Sequence, residues 1–118
     1  MIKYCILRKR GSYSCIWTDV TVKREHGEKN VLKNHHLDRL RAGQVEGSIF
    51  VIWVERPDIQ DYAIRTAQIK QAILDETAEC DEVQIVHTVA EMKQARDAGK
   101  FYIWIGIEGM AAIGDDVS

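Results

Sequence analysis

The stretch FYIWIGIEG, residues 101–109, is a nearly uncharged run that ends on a carboxylate. Up to Ile107 it is composed of glycine and of apolar or aromatic residues that favour β-structure. Such a run is typical of a strand buried on both faces of a parallel sheet. In parallel α/β folds the chemistry lies at the carboxyl ends of the strands, and Glu108 stands at such an end. From the residues alone, Glu108 is either an exposed loop carboxylate or a site residue.

A second run of the same kind, GSIFVIWVE, occupies residues 47–55 and predicts another strand buried on both faces. A long helix is expected after it, capped by Asp58 and ending near Cys80. Apolar or half-polar residues recur on this helix three or four positions apart and predict one inward stripe: Ile59, Tyr62, Thr66, Ile69 and Ile73.

The chain then offers VQIV, residues 83–86, as a short strand candidate. Thr88 and Glu91 form a capping box that opens a further helix, and Gly99 is expected to be its C-cap. Strands that alternate with helices predict parallel β/α units with right-handed crossovers. Two architectures remain open at this point, a doubly wound sheet and part of a (β/α) barrel.

The N-terminal half is less patterned. YCIL, residues 4–7, is a strand candidate, and Leu37 and Leu40 predict a short helix that ends at Gly43. His35 and His36 are adjacent and would point about 100° apart on a helix, so they cannot share a metal as an i, i+4 pair does. We expect both histidines to face solvent.

The composition bounds the function. With 118 residues we expect a single domain over residues 1–118, and a net charge of −2 gives no broad basic field for nucleic acid. No apolar stretch reaches the ~18 residues of a membrane span, and we expect a cytoplasmic protein without a membrane partner. Cys5, Cys15 and Cys80 are widely spaced, which predicts free thiols.

Two longer stretches resemble a known family. LDRLRAGQVEGSIFVIWVE, residues 37–55, resembles the leucine–arginine–alanine–glycine segment and second strand of the renal (membrane) dipeptidases, peptidase family M19. ARDAGKFYIWIGIEGMAAIGDD, residues 95–116, resembles that family's A-x-x-x-G-K-x-A-x-x-I-G-x-E-G strand. IWTDVTVKRE, residues 16–25, is similar to the segment after the first strand of bacterial members. The resemblance covers nearly the whole chain from Ile16 onward.

The resemblance implies a zinc-dependent dipeptidase on a (β/α)₈ barrel, which hydrolyses the amide bond of dipeptides at a two-zinc centre. In such a centre a bridging water becomes the nucleophile and the metals polarise the scissile carbonyl. The family's bridging glutamate lies in the I-G-x-E-G motif, and that position is Glu108 here. Its two carboxylate oxygens suit two metal ions ~3.5–4 Å apart.

Two departures from the family matter. The family's first strand ends in D-x-H-x-D, whose histidine and last aspartate bind zinc, and this motif falls on Gly11, Tyr13 and Cys15. A tyrosine such as Tyr13 does not replace an imidazole as a zinc ligand. Cys15 can bind zinc as a thiolate, but the histidine ligand that accompanies this position in the family is missing. A full barrel needs about 250 residues, so we expect a truncated N-terminal portion, about the first three β/α units with parallel strands. We therefore expect both zinc ions to be lost and the chain to be inactive alone.

A rival interpretation is a non-catalytic α/β module that self-associates or binds a partner, or a small open α/β sandwich. Barrel strands that do not close leave exposed edges and an apolar face. We therefore expect a homo-oligomer, with a dipeptide as substrate only if the missing barrel completes the site.

Overall fold

A computed structural model of the protein describes residues 5–7, 13–54 and 61–109, with the backbone alone for residues 5–7, 13–15, 17 and 18. The described part is α/β, as the sequence predicts. Its elements in chain order are β1 (Cys5–Leu7), β2 (Tyr13–Cys15), α1 (Ile16–Glu25), a π-helical turn (Lys33–Leu37), α2 (Asp38–Ala42), β3 (Gly47–Ile52), α3 (Tyr62–Glu79), β4 (Val83–Ile85), α4 (Val89–Asp97) and β5 (Phe101–Ile107).

Strands β3, β5 and β4 form a three-stranded parallel sheet in that order. β5 lies in the centre, and its pairing with β3 runs from Gly47 opposite Tyr102 to Ile52 opposite Ile107. β4 pairs with the first part of β5, from Val83 opposite Phe101. The two apolar runs are therefore parallel strands, as predicted, and they are neighbours because β4 lies on the far side of β5 and not between them.

The two short N-terminal strands depart from the prediction of parallel strands. β1 and β2 form an antiparallel pair, with Cys5 opposite Cys15 and Leu7 opposite Tyr13. The reason is chain length, because parallel neighbours need a crossover of roughly a dozen residues or more, and only residues 8–12 separate these strands.

The core lies on one face of the sheet. Phe50 and Ile52 of β3 and Phe101 and Ile103 of β5 are almost completely buried, and the two phenyl rings are 6.0 Å apart between centroids. Helical side chains complete the cluster, among them Val20, Leu37, Leu40, Ile69 and Ile73.

The opposite face of the sheet is only partly covered. Ile49 is 54% exposed, and Val51, Tyr102 and Trp104 are half-buried. The prediction that both runs are buried on both faces is therefore wrong for this face, because the helices that supply the core cluster pack against the other one.

The long helix is capped by Asp61, whose side chain accepts a hydrogen bond from the Ile64 amide at 3.0 Å. Asp58, the predicted cap, and Ile59 lie outside the described residues, and the described helix begins at Tyr62. Its end near Cys80 is confirmed, since Cys80 is the C-cap.

The capping box of α4 forms with a shift of one residue. Thr88 Oγ1 accepts from the Glu91 amide at 3.1 Å, as predicted. The Glu91 carboxylate reaches back to the His87 amide at 2.7 Å, one residue before the cap. The C-cap is Ala98, one residue before the predicted Gly99, because Gly99 takes the left-handed conformation at φ +72° that follows the cap.

Candidate functional site

Glu108 lies where the sequence predicts it, at the carboxyl end of the central strand. Its backbone amide donates to the Ile52 carbonyl at 3.0 Å, which extends the β3–β5 ladder one residue beyond Ile107. The Glu108 side chain is exposed. Gly109 follows at φ +89°, a conformation that glycine adopts without strain, so the chain can turn directly after the carboxylate.

Two of the three positions aligned with the family's first-strand motif lie in the antiparallel pair. The backbones of Tyr13 and Cys15 belong to β2, which pairs with β1 and not with the parallel sheet. Gly11 lies outside the described residues. In the described part of the chain, no group of three His, Cys, Asp or Glu side chains could hold a metal ion.

A buried carboxylate that was not predicted from the sequence lies on α3. Glu76 is fully buried and accepts hydrogen bonds from the amides of Val31 at 3.0 Å and Leu32 at 2.8 Å. These amides open the segment that leads into the π-helical turn, so the carboxylate acts as a remote cap for it. The available signal was the position of Glu76, which continues the apolar stripe of Ile69 and Ile73 at helical spacing.

Arg24 of α1 provides the counter-charge for this carboxylate. Its Nη1 donates to Glu76 at 2.8 Å, and its two terminal nitrogens hold both oxygens of Glu79 at 2.8 and 2.9 Å. Glu79 also accepts from the Asn30 amide at 3.1 Å. The guanidinium lowers the pKa of Glu79 to about 2 and is itself stabilised in the charged form, so its own pKa is raised. This cluster ties α1, α3 and the loop at Asn30 together.

The depressed pKa of Glu79 predicts a pH dependence of stability. A carboxyl group that titrates near pH 2 in the folded chain and near its ordinary value when unfolded stabilises the fold at neutral pH. This contribution is fully present above about pH 4.5 and is lost as the pH falls towards 2. The free energies of unfolding of the wild type and of Glu79→Gln should therefore converge over that window, as urea denaturation at several pH values would show. A constant difference down to pH 2 would contradict this assignment.

The two adjacent histidines have different environments. His35 is exposed and pairs with Glu28 at 2.9 Å, whereas the His36 side chain is 9% exposed and its Nε2 lies 3.0 Å from Asp19. The prediction that both face solvent is wrong for His36. The π-helical turn inserts a residue into the helical repeat, which places both His36 and Leu37 in the interior.

Burial and hydrogen bonding have opposing effects on the pKa values of Asp19 and His36. Burial lowers the pKa of His36 and outweighs its hydrogen bond to Asp19. Burial raises the pKa of Asp19, but hydrogen bonds from Lys23 and His36 outweigh it, so the net shift is downward. Asp19 and His36 therefore join α1 to the π-helical turn, and both residues are far in sequence from Glu108.

Comparison with protein families bears directly on the I-G-x-E-G strand. The family model described as membrane dipeptidase (peptidase family M19) matches residues 14–118. The chain belongs to this family. The match includes Cys15 and Glu108 and begins after Gly11 and Tyr13. Comparisons with curated proteins and with solved structures gave no match.

Within the described residues, no helix combines the length and the apolar character needed to cross a bilayer.

Proposed function

We propose that the chain carries part of a dipeptidase-type (β/α) barrel, with Glu108 at the position of the zinc-bridging carboxylate, and that it does not hydrolyse dipeptides by itself. The observation that carries this proposal is the place of Glu108, one residue past the central strand at the carboxyl edge of a parallel sheet. Barrel enzymes keep their catalytic groups at this edge. Family membership supports the role of the residue.

The two faces of the sheet support the barrel assignment. In a (β/α)₈ barrel one face of each strand packs against helices, and the other fills the interior with bulky side chains. Here Phe50 and Phe101 lie on the helix-packed face, whereas Ile49 and Trp104 lie opposite each other on the open face. That open, apolar face is the one that further barrel strands would cover.

We propose the lack of activity because the residues at the first-strand motif are not the metal ligands of the family. The family's aspartate, histidine and aspartate correspond here to Gly11, Tyr13 and Cys15. Glycine offers no ligand, and zinc sites use imidazole, carboxylate and thiolate far more than phenol. Glu108 and one thiol do not supply the donors that a pair of zinc ions needs.

Restoring the first-strand ligands tests the proposal. The proposal requires residues 13 and 15 to come beside Glu108, although β2 pairs with β1 and not with the parallel sheet in the structure. On that basis we expect the double variant Tyr13→His/Cys15→Asp to bind zinc at least about tenfold more tightly than the wild type, because two further donors join Glu108. Competition with a chromophoric chelator measures the affinity, and circular dichroism checks the fold. Adding Glu108→Ala should remove the gain. If the gain in zinc affinity persisted in the Glu108→Ala background, Glu108 would not be a zinc ligand and the proposal would be contradicted.

Self-association is the second candidate function, and exposed apolar side chains favour it. Ile49, Trp53 and Ile107 are 54%, 41% and 61% exposed. Ile49 lies opposite Trp104 on the open face of the sheet, and exposed apolar surface of this kind is typical of interaction sites. A homo-oligomer stays a prediction, as does a cytoplasmic location.

A further inference from the structure

A cavity of 360 Å³ lies at the amino ends of β3 and β5, on the opposite edge of the sheet from Glu108. Its wall includes Glu46, directly before β3, and Phe101, the first residue of β5. β5 has seven residues and spans about 20 Å, so this cavity is separate from the edge that carries Glu108.

One side of the cavity is the end of α2. The Gln44 amide donates to the Arg41 carbonyl at 2.9 Å, and the Val45 amide donates to the Leu40 carbonyl at 3.0 Å. Gln44 has φ +59°. These features define a Schellman motif, in which a residue in the left-handed region closes the helix. The predicted stop at Gly43 is thus the C-cap, and the left-handed position falls on Gln44.

The facing side is the end of α4 and repeats the same motif. The Gly99 amide donates to the Arg96 carbonyl at 2.9 Å, and the Lys100 amide donates to the Ala95 carbonyl at 2.9 Å. Both helix ends place an arginine two residues before the cap, at Arg41 and Arg96. Two fixed loops therefore hold basic side chains around one opening.

The charges around the opening do not all neutralise one another. Arg96 is paired with Asp97 at 3.2 Å, and Lys33 holds Glu82 at 2.9 Å. Arg41 contacts the Glu82 carboxylate only at 3.8 Å. Its hydrogen bonds to the carbonyls of Glu82 and Gly99, both 3.4 Å, come from Nη2 alone.

Lys100 lines the cavity and is half-buried. Among the described residues it makes no ion pair, and Nε and Nη1 of Arg41 make no hydrogen bond. The lining of the cavity itself carries three cations, Arg41, Arg96 and Lys100, and one carboxylate, Glu46. A positive excess here contrasts with a net charge of −2 for the whole chain.

We propose that this cavity binds a phosphate group, free or carried by a small molecule, through Arg41 and Lys100. A guanidinium offers parallel N–H donors that match two phosphate oxygens, and an ammonium supplies a point charge beside it. The cavity volume is within the range of small-molecule sites. The two helix ends that border the cavity carry partial negative charge, which opposes an anion, so the two cations have to outweigh it.

The test is a titration of the isotope-labelled chain with inorganic phosphate at constant ionic strength, followed by amide chemical shifts. We expect saturable shifts at Gln44, Gly99 and Lys100, and weaker shifts at equal concentrations of acetate. Arg41→Gln and Lys100→Gln should each weaken phosphate binding about tenfold, because each removes a charge-assisted hydrogen bond. The rest of the amide spectrum reports whether each variant is folded.

Two controls make the result specific. Lys70→Gln removes an exposed lysine on α3 and should leave phosphate binding unchanged, and Lys100→Arg keeps the charge and should retain binding. Shifts spread evenly over the basic residues of the surface, equal binding of acetate, or unaltered affinity in Lys100→Gln would overturn the proposal.

Discussion

Replacing Arg24 by methionine should lower the free energy of unfolding by about 3–5 kcal/mol, because it leaves a buried carboxylate without its counter-charge. Glu76 is fully buried and would keep only the amides of Val31 and Leu32 as partners. Glu79 would lose both of its hydrogen bonds to the guanidinium. Methionine keeps a similar length and apolar stem, so lost packing adds little. Urea denaturation followed by circular dichroism measures the change.

The matched control is Arg96→Met. This arginine pairs with Asp97 on the surface, and both side chains are substantially exposed, 45% and 71%. Exposed pairs of this kind contribute about 0–1 kcal/mol. Combining Arg24→Met with Glu76→Met should recover only part of the loss, because the Val31 and Leu32 amides then lose their acceptor. Equal small losses in both arginine variants would contradict the role assigned to Arg24.

Gly47→Ala should destabilise the protein by about 1–3 kcal/mol, although alanine normally suits a strand better than glycine. Gly47 lies opposite Tyr102 in the register of β3 and β5, and the tyrosine ring covers it. A Cβ at Gly47 would overlap with Cγ, Cδ2 and Cε2 of that ring, far closer than van der Waals contact allows. These atoms lie near the root of the side chain, so the clash is relieved only if the whole ring moves.

A double-mutant cycle isolates this contact. In a Tyr102→Ala background the ring is gone, and Gly47→Ala should be neutral or slightly stabilising, by about 0.4–1 kcal/mol. Thermal or urea denaturation of the four variants gives the coupling energy. The same loss in both backgrounds would show that the ring is not the cause.

The features that could be predicted from the sequence are those with local causes. The apolar runs that became β3 and β5 needed no distant information, and neither did the capping box at Thr88 or the stop at Gly99. Their chemistry acts within a few residues of the chain. The place of Glu108 followed from the same strand assignment.

The features that were missed depend on partners distant in the chain. Glu76 is buried because amides of a loop 44 and 45 residues earlier meet it, and spacing alone did not reveal that partner. His36 is buried because the helix changes its repeat at the π-helical turn, which shifts the exposed face. The open face of the sheet likewise depends on which elements pack against it, a tertiary property.

We propose above that Glu108 occupies the bridging-carboxylate position of a dipeptidase-family framework whose first-strand ligands are replaced, and that the chain does not turn over dipeptides alone. The most direct measurement is hydrolysis of a panel of dipeptides by the purified chain with added zinc, together with its bound zinc content. The account predicts no turnover above that of a Glu108→Ala variant and less than one tightly bound zinc per chain. Zinc-dependent turnover that disappears in Glu108→Ala would contradict it.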